Sequence, residues 1–441
     1  MRKFVALFAA CLMALSCTAC QTETASSSEP PTSRTDGDAT IPDPVDPAGQ
    51  TEAAFLDSNA MTEGGLYYLT MRDKTATQNG PYYYLVQYMD DATGETMTLC
   101  NKPNCEHNDE SCPAYIDVEA NLNIGTAFLF VYNGKLYMFN QDGHLYASEL
   151  DGTGRTAVIT LPGKYTYGSG YLLDGFVFLD ADYMDDSEEE ESLRYRAALL
   201  RLNLADNTYE ELYAYSTVSD TLLGVLPDRA VYARVAELPA AENPLTQEER
   251  DALYNGLETK ILTRTFADGT EEILLDTTSG EADPIRMIGD TLYFHSRQDR
   301  TLYQCDPMTG EQTPLQENLE GYITFPEYAL YDGRLLYIKN NTETYAYEPT
   351  PPKNECFALK TNTQDVQEIT LQPIEEEDYF TGFTAETPGY YILWVGIKEV
   401  EYTPPGGSTS MVPAPVCWRI PKDAFWRGDY THEEVEWDGT L

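Results

Sequence analysis

After residue 60 the chain alternates short apolar, tyrosine-rich runs with polar turns, and this alternation recurs as a two-part phrase seven times. The first part is a turn followed by a strand, as in Gly65-Leu66-Tyr67-Tyr68-Leu69, Asn133-Gly134-Lys135-Leu136-Tyr137 and Asp174-Gly175-Phe176-Val177-Phe178. It returns in Ala230-Val231-Tyr232, Asp290-Thr291-Leu292-Tyr293, Asp332-Gly333-Arg334-Leu335-Leu336 and Gly389-Tyr390-Tyr391-Ile392. Most copies are answered by a second strand that runs into an Asp/Thr/Gly turn, such as Leu150-Asp151-Gly152-Thr153-Gly154. Apolar runs split by Asn-Gly and Asp-Gly predict β-hairpins. Starts of successive units lie roughly 40–70 residues apart, the spacing of four-stranded propeller blades with variable loops.

One blade cannot bury both faces of its sheet, whereas a closed ring of blades can. The pattern therefore predicts an all-β chain with a single propeller of seven four-stranded blades, six or eight being the neighbouring solutions and a β-sandwich the alternative architecture. Two slots support the register. Ser148, Leu202, Cys305, Leu359 and Ile420 align in one, and Tyr146, Leu200, Tyr303, Phe357 and Trp418 align two residues earlier. Residues two apart on a strand share a face. A strand near Ala53–Leu56 is expected to complete the last blade and close the ring. Thr246-Gln247-Glu248-Glu249 reads as a capping box that starts a short helix near 246–256, inserted in the fourth unit.

The front of the chain reads differently. Arg2 and Lys3 precede an apolar run, Phe4–Ser16, that is too short to span a membrane and suits a signal-peptide core. It ends in Leu15-Ser16-Cys17-Thr18-Ala19-Cys20. Small residues before a cysteine resemble the lipobox of bacterial lipoproteins. That resemblance implies a signal over 1–19 and lipidation of Cys20, with Cys17 the alternative and an ordinary cleaved signal the plainer reading. Residues 20–50 are rich in Ser, Thr, Pro and Asp, with little to bury, and predict a disordered tether ahead of a propeller over 51–441. The expected location is the cell membrane, lipid-anchored on the extracellular side.

The formal charge is −45. It argues against nucleic acid, whose phosphates need a basic surface, and against binding an anionic membrane through the protein itself. The membrane partner is then the lipid anchor alone. An extracellular glycan, peptide or envelope protein is the expected ligand, and the oligomeric state is open. Residues 180–191 form the densest acidic run and offer carboxylates for Ca²⁺, although without the glycine-centred spacing of a calcium loop; a solvated loop is the simpler reading.

One compact constellation carries chemistry: Cys100, Cys105, His107 and Cys112 fall within thirteen residues. Three thiols and an imidazole match tetrahedral Zn²⁺, and four protein ligands leave no open position, which points to a structural site. A disulfide within the loop is the alternative in an exported protein. The remaining mature cysteines, Cys305, Cys356 and Cys417, read as core residues too far apart to bridge. The lipobox, the acidic propeller and the Leu-Cys-x4-Cys-x-His-x4-Cys phrase together resemble surface lipoproteins of Gram-positive anaerobes whose propellers are described as TolB-like. That resemblance implies an envelope binding protein and no established reaction.

No nucleophile elbow, no His-Glu-x-x-His and no phosphate-binding glycine loop occurs, so no catalytic residue is assigned. His144, His295 and His432 read as a hairpin residue, a strand-face residue and a solvated residue. A non-enzymatic, lipid-anchored binding protein is the leading expectation. An extracellular polysaccharide hydrolase or lyase and a structural scaffold in an envelope complex are the alternatives.

Overall fold

A computed structural model describes residues 53–73, 82–117, 127–139, 143–162, 165–184, 195–215, 220–236, 246, 252–253, 255–326, 329–340, 354–371, 383–402 and 410–435. Residues 1–52, on which the expected signal, Cys17, Cys20 and the expected tether fall, lie outside them. Strand β1 (Ala54–Leu56) precedes the first blade. Blade 1 holds β2 (Asn59–Thr62), β3 (Gly65–Asp73), β4 (Tyr82–Asp90), β5 (Thr96–Thr98) and β6 (Tyr115–Asp117). Blade 2 holds β7 (Phe128–Tyr132), β8 (Lys135–Phe139), β9 (His144–Glu149) and β10 (Thr156–Thr160). Blade 3 holds β11 (Tyr165–Leu173), β12 (Phe176–Met184), β13 (Tyr195–Asn203) and β14 (Thr208–Ala214). Blade 4 holds β15 (Asp220–Leu226), β16 (Arg229–Val235), β17 (Glu258–Thr265) and β18 (Glu271–Thr278).

Blade 5 holds β19 (Ala282–Ile288), β20 (Thr291–Ser296), β21 (Thr301–Cys305) and β22 (Gln312–Gln316). Blade 6 holds β23 (Tyr322–Thr324), β24 (Leu330–Tyr331), β25 (Arg334–Asn340), β26 (Asn354–Lys360) and β27 (Val366–Ile369). Blade 7 holds β28 (Ala385–Glu386), β29 (Tyr390–Tyr402), β30 (Ser410–Pro421) and β31 (Glu433–Val435), with a one-turn helix, α1 (Lys422–Phe425), between the last two. By backbone contacts the chain divides into two units, residues 1–39 with 399–413 and the remainder. The propeller core described below lies in the second.

The seven-bladed expectation holds, and the core shows how the ring is built. Buried apolar side chains gather into seven clusters, one for each pair of neighbouring blades. Tyr67 and Val86 of blade 1 pack with Leu129 and Leu136 of blade 2, and Phe128 and Phe139 of blade 2 pack with Leu172 and Leu200 of blade 3. The sequence continues round to Leu66, Tyr68 and Met89 of blade 1, which pack with Ala385, Ile392 and Cys417 of blade 7. Each fully buried Leu or Phe contributes roughly 1.5–3 kcal/mol, so the ring is held by side chains along every seam.

The two aligned slots have one physical meaning. Ser148, Leu202, Cys305 and Leu359 pair across the sheet with Leu136, Val177, Leu292 and Leu335, which hold the same place in their own strands. Leu200 and Leu202 face blade 2, Tyr303 and Cys305 face blade 4, and Phe357 and Leu359 face blade 5. The slots therefore mark the strand face turned toward the preceding blade. The predicted turns hold as well. Asn133-Gly134, Asp174-Gly175 and Asp332-Gly333 all take positive φ at both positions, as a type I′ hairpin requires.

One expectation is overturned. β1 does not complete the last blade: it pairs antiparallel with β11, the first strand of blade 3, with Ala54 opposite Leu172 and Leu56 opposite Gly170. Asp57 then bridges to Leu129 of β7. Among the described residues, blade 7 and blade 1 are each built from consecutive chain, and side chains instead of a shared strand meet at their seam. Of the expected insertion, Ala252, Leu253 and Asn255 are helical, whereas Thr246 is not, and residues 247–251 lie outside the described set.

Candidate metal centre

β4 runs along blade 1 with two short strands on the same outer edge. β5 pairs with Gln87–Met89 and β6 with Tyr83–Leu85. Val86 between them is held on both sides, accepting the Leu99 N–H at 2.9 Å and donating its own N–H to Ala114 at 3.0 Å. The outermost strand of the blade is thus one strand line interrupted by the loop 99–114. Strand β5 leads directly into it.

The loop folds on local turns. Cys105 N–H donates to Lys102 O at 3.3 Å, Cys112 N–H to Asp109 O at 3.0 Å and Ser111 N–H to the Asp109 carboxylate at 2.8 Å. Asn104 and His107 sit at φ 57 and 54, in the left-handed region that non-glycine residues enter only where surroundings fix them. The result brings together all four residues singled out from sequence. One ligand atom from each of Cys100, Cys105, His107 and Cys112 lies within 4.8 Å of the others, and His107 Nδ1 stands 3.3 Å from Cys112 Sγ. Tetrahedral Zn–S bonds of about 2.3 Å place neighbouring sulfurs about 3.8 Å apart, so the donor set needs only a small contraction to close on an ion.

The electrostatics differ along the loop. Burial lowers the His107 pKa, which keeps its imidazole neutral and able to bind metal. The His107 backbone N–H lowers the half-buried Cys105 thiol, and burial pushes Cys112 up to about 12. A buried thiolate at Cys112 needs a compensating positive charge, and a divalent cation supplies it. Three sulfurs and a nitrogen fit a borderline-soft ion such as Zn²⁺ and suit neither Mn²⁺ nor Ca²⁺, which prefer oxygen.

The loop is also bound to blade 2. Cys112 is fully buried in the cluster that contains Leu129, Leu136 and Met138. The Tyr67 hydroxyl donates to Leu150 O at 2.9 Å, and Arg155 donates to Tyr115 O. A Cβ on Gly152 would stand 2.8 Å from Leu99 O, so the β9–β10 turn approaches the start of the loop closely enough to require glycine.

The other candidates scatter. His295 is buried in β20, His144 starts β9 with Nδ1 3.0 Å from Thr160 Oγ1, and His432 stacks on Trp418 at 3.7 Å on the surface. Cys305, Cys356 and Cys417 are buried and unbridged, each in a blade seam, and the loop cysteines are also free thiols. Residues 185–191 of the acidic run lie outside the described residues. Asp180 and Asp182 join no group of metal-binding side chains among the described residues.

Sequence reasoning missed a charged seam between blades 3 and 4. The Asp220 side chain, wholly buried, is held by Arg234 through Nε at 2.8 Å and Nη2 at 2.9 Å, and Arg234 also reaches Glu271 at 3.1 Å. Asp180, half-buried across the seam, has its carboxyl pushed up to about 7 by desolvation and by Asp182. No spacing signal could have revealed the pair, which lies 40 residues apart in a chain with 73 acidic residues.

No protein-family model matches the chain, and no curated protein matches it. Among solved structures, an oligogalacturonate lyase in complex with manganese shares 11% identity and a TM-score of 0.42, covering 85% of this chain and 92% of that one. An oligogalacturonate lyase from Vibrio parahaemolyticus shares 9% identity over 78% of this chain and 95% of its own, with a TM-score of 0.42. A puromycin-hydrolyzing peptidase from Mycobacterium tuberculosis shares 13% identity and a TM-score of 0.49, with 91% of this chain covering 55% of that one. Likeness at this level is a matter of propeller shape and carries no ligand or reaction to this chain.

Proposed function

We propose that this protein is a lipid-anchored, non-catalytic binding propeller of the cell surface, with a structural Zn²⁺ at Cys100, Cys105, His107 and Cys112. The convergence of those four ligand atoms within 4.8 Å carries the metal half of the reading. A closed four-ligand site keeps no position for substrate, so the ion would hold structure. It would fasten the interrupted outer strand of blade 1 over the blade 1–blade 2 core, where Cys112 is already buried. The binding half is supported by the anchor signal and by a charge of −45 that favours cationic or neutral extracellular ligands.

A thermal-shift screen of the intact protein against glycans and envelope peptides tests the binding role, because a ligand that binds only the folded state raises the melting temperature. Turnover of any polysaccharide that shifts the transition would favour the hydrolase or lyase reading. That second reading draws on one observation, the raised carboxyl of Asp180. Its neighbour Asp220, however, is committed to Arg234 on both oxygens.

A further inference from the structure

The sulfurs of the metal centre differ in their access to solvent. Cys105 and His107 line an open cavity of about 290 Å³ whose wall also holds Lys102, Asn104, Asp109 and Ser111. Neither Cys100 nor Cys112 lines it. Cys100 is half-buried, whereas Cys112 is fully buried in the core between blades 1 and 2. Cys305, Cys356 and Cys417 are buried elsewhere in the ring. A small solute reaching the described cysteines from water therefore meets Cys105 first and Cys100 next.

Backbone anchoring follows a similar order. Residues 101–104, 106 and 108–111 are exposed, so Cys105 rides on a limb with little packed against it. Cys112 is held at the foot of β6, its N–H donating to Asp109 O at 3.0 Å and its carbonyl accepting the Tyr115 N–H at 3.1 Å. Its sulfur already faces His107 Nδ1 at 3.3 Å. The ligand sulfurs lie within 4.8 Å of one another. A disulfide bond of about 2.05 Å between Cys105 and Cys100 then requires the exposed limb to move its sulfur inward by less than about 3 Å.

We propose that Cys100 and Cys105 form a site of reversible oxidation by hydrogen peroxide, which joins them in a disulfide and makes the loop give up its metal ion. Loss of the ion rests on the Zn²⁺ reading; the choice of sulfurs rests on access alone. Sulfurs that ligate metal are thiolates, and exposed thiolates are the ones peroxide oxidises. Cys105 Sγ attacks one peroxide oxygen, the O–O bond breaks, and the departing hydroxide takes a proton to become water. The Cys100 thiolate then attacks the Cys105 sulfenic sulfur, the S–O bond breaks, and a second hydroxide leaves as water. Two thiolates have lost two electrons, and one peroxide with two protons has become two waters. His107 and Cys112 remain, two ligands where a structural site needs four. Without added peroxide the resting protein is the zinc form, and a dithiol reductant returns the oxidised loop to it.

The full-length protein would be reduced, supplied with zinc, freed of excess and exposed to a small excess of hydrogen peroxide. A metallochromic indicator would follow zinc, and alkylation with peptide mapping would identify the state of each cysteine. The expected result is release of about one zinc per chain, a Cys100–Cys105 disulfide, and alkylated thiols at Cys112, Cys305, Cys356 and Cys417. Dithiothreitol with fresh zinc should restore the bound ion. A disulfide that includes Cys112, or sulfinic acid at Cys105 without a disulfide, would overturn the proposal. So would zinc retained with all six thiols free after the same exposure. A reduced chain that takes up no zinc would sink the metal reading separately. In that chain a peroxide-formed Cys100–Cys105 bridge still supports the oxidation site, and any other pair, or none, overturns it.

Discussion

The Asp91 carboxylate accepts the Gly389 N–H at 3.1 Å, joining residues 298 positions apart across the seam between blades 1 and 7. Arg419 completes that joint. Its side chain is 2% exposed, donates to Glu433 at 2.9 Å and to the Asp91 carbonyl, and lies 3.5 Å over the Tyr390 ring. Among the described residues no strand is shared between first and last blades, and this buried arginine and the Leu66–Ile392–Cys417 cluster join them.

Arg419→Ala should therefore cost about 2–3 kcal/mol, because it removes a buried side chain and its charge-assisted hydrogen bond to the Asp91 carbonyl, while Glu433 is exposed and is left in water. Asp91→Ala, which removes one acceptor and leaves the Asp91 carbonyl in place, should cost about 1 kcal/mol. Denaturant titration of the two variants checks the order, and the double variant should show a cost smaller than the sum, because both residues act on one seam. Equal, small effects would mean that apolar packing alone closes the ring.

Leu56→Ala and Phe55→Ala separate wedge from surface within β1. Leu56 is 6% exposed in the blade 2–blade 3 cluster, so its truncation should cost about 2–4 kcal/mol. Phe55 is 41% exposed, and its loss should cost under about 1 kcal/mol. A shift in melting temperature for Leu56→Ala several times that for Phe55→Ala is the expected result.

The seam between blades 3 and 4 predicts a pH response. Burial and Asp182 raise the folded-state carboxyl of Asp180 to about 7, above its ordinary value of 3.8. The native state then binds this proton more tightly than the unfolded chain. Its contribution is fully present below about pH 4 and is lost as pH rises through 7. Asp180→Asn should be close to neutral at pH 4 and should stabilise by about 2 kcal/mol at pH 8, less than the full linkage because the side chain is only half-buried. Parallel stability curves for wild type and variant between pH 4 and 9 would contradict this assignment.

Much of this architecture was legible because propellers repeat. The Asn-Gly and Asp-Gly turns fixed the hairpins, and aligning Ser148 with Leu202 and Cys305 put them on one strand face, which the structure turns toward the preceding blade. The loop ligands were legible for a local reason: thirteen residues cannot spread four ligands far. What failed was long-range pairing with little pattern behind it. Ala54–Leu56 has one buried residue out of three, too little to specify which blade it joins. Asp180 and Asp220 meet only because neighbouring blades bring a second strand against a first.

Metal content with a thiol count tests the central claim most directly. The protein would be purified without chelator or reductant, assayed for zinc, then unfolded with chelator and titrated for free thiols. Six cysteines lie among the described residues, all unbridged. The account predicts about one zinc per chain, six reactive thiols on unfolding, and a lower melting temperature when chelator strips the ion or when His107→Ala removes a ligand. Absence of zinc together with only four reactive thiols would show a disulfide in the loop and contradict the metal centre.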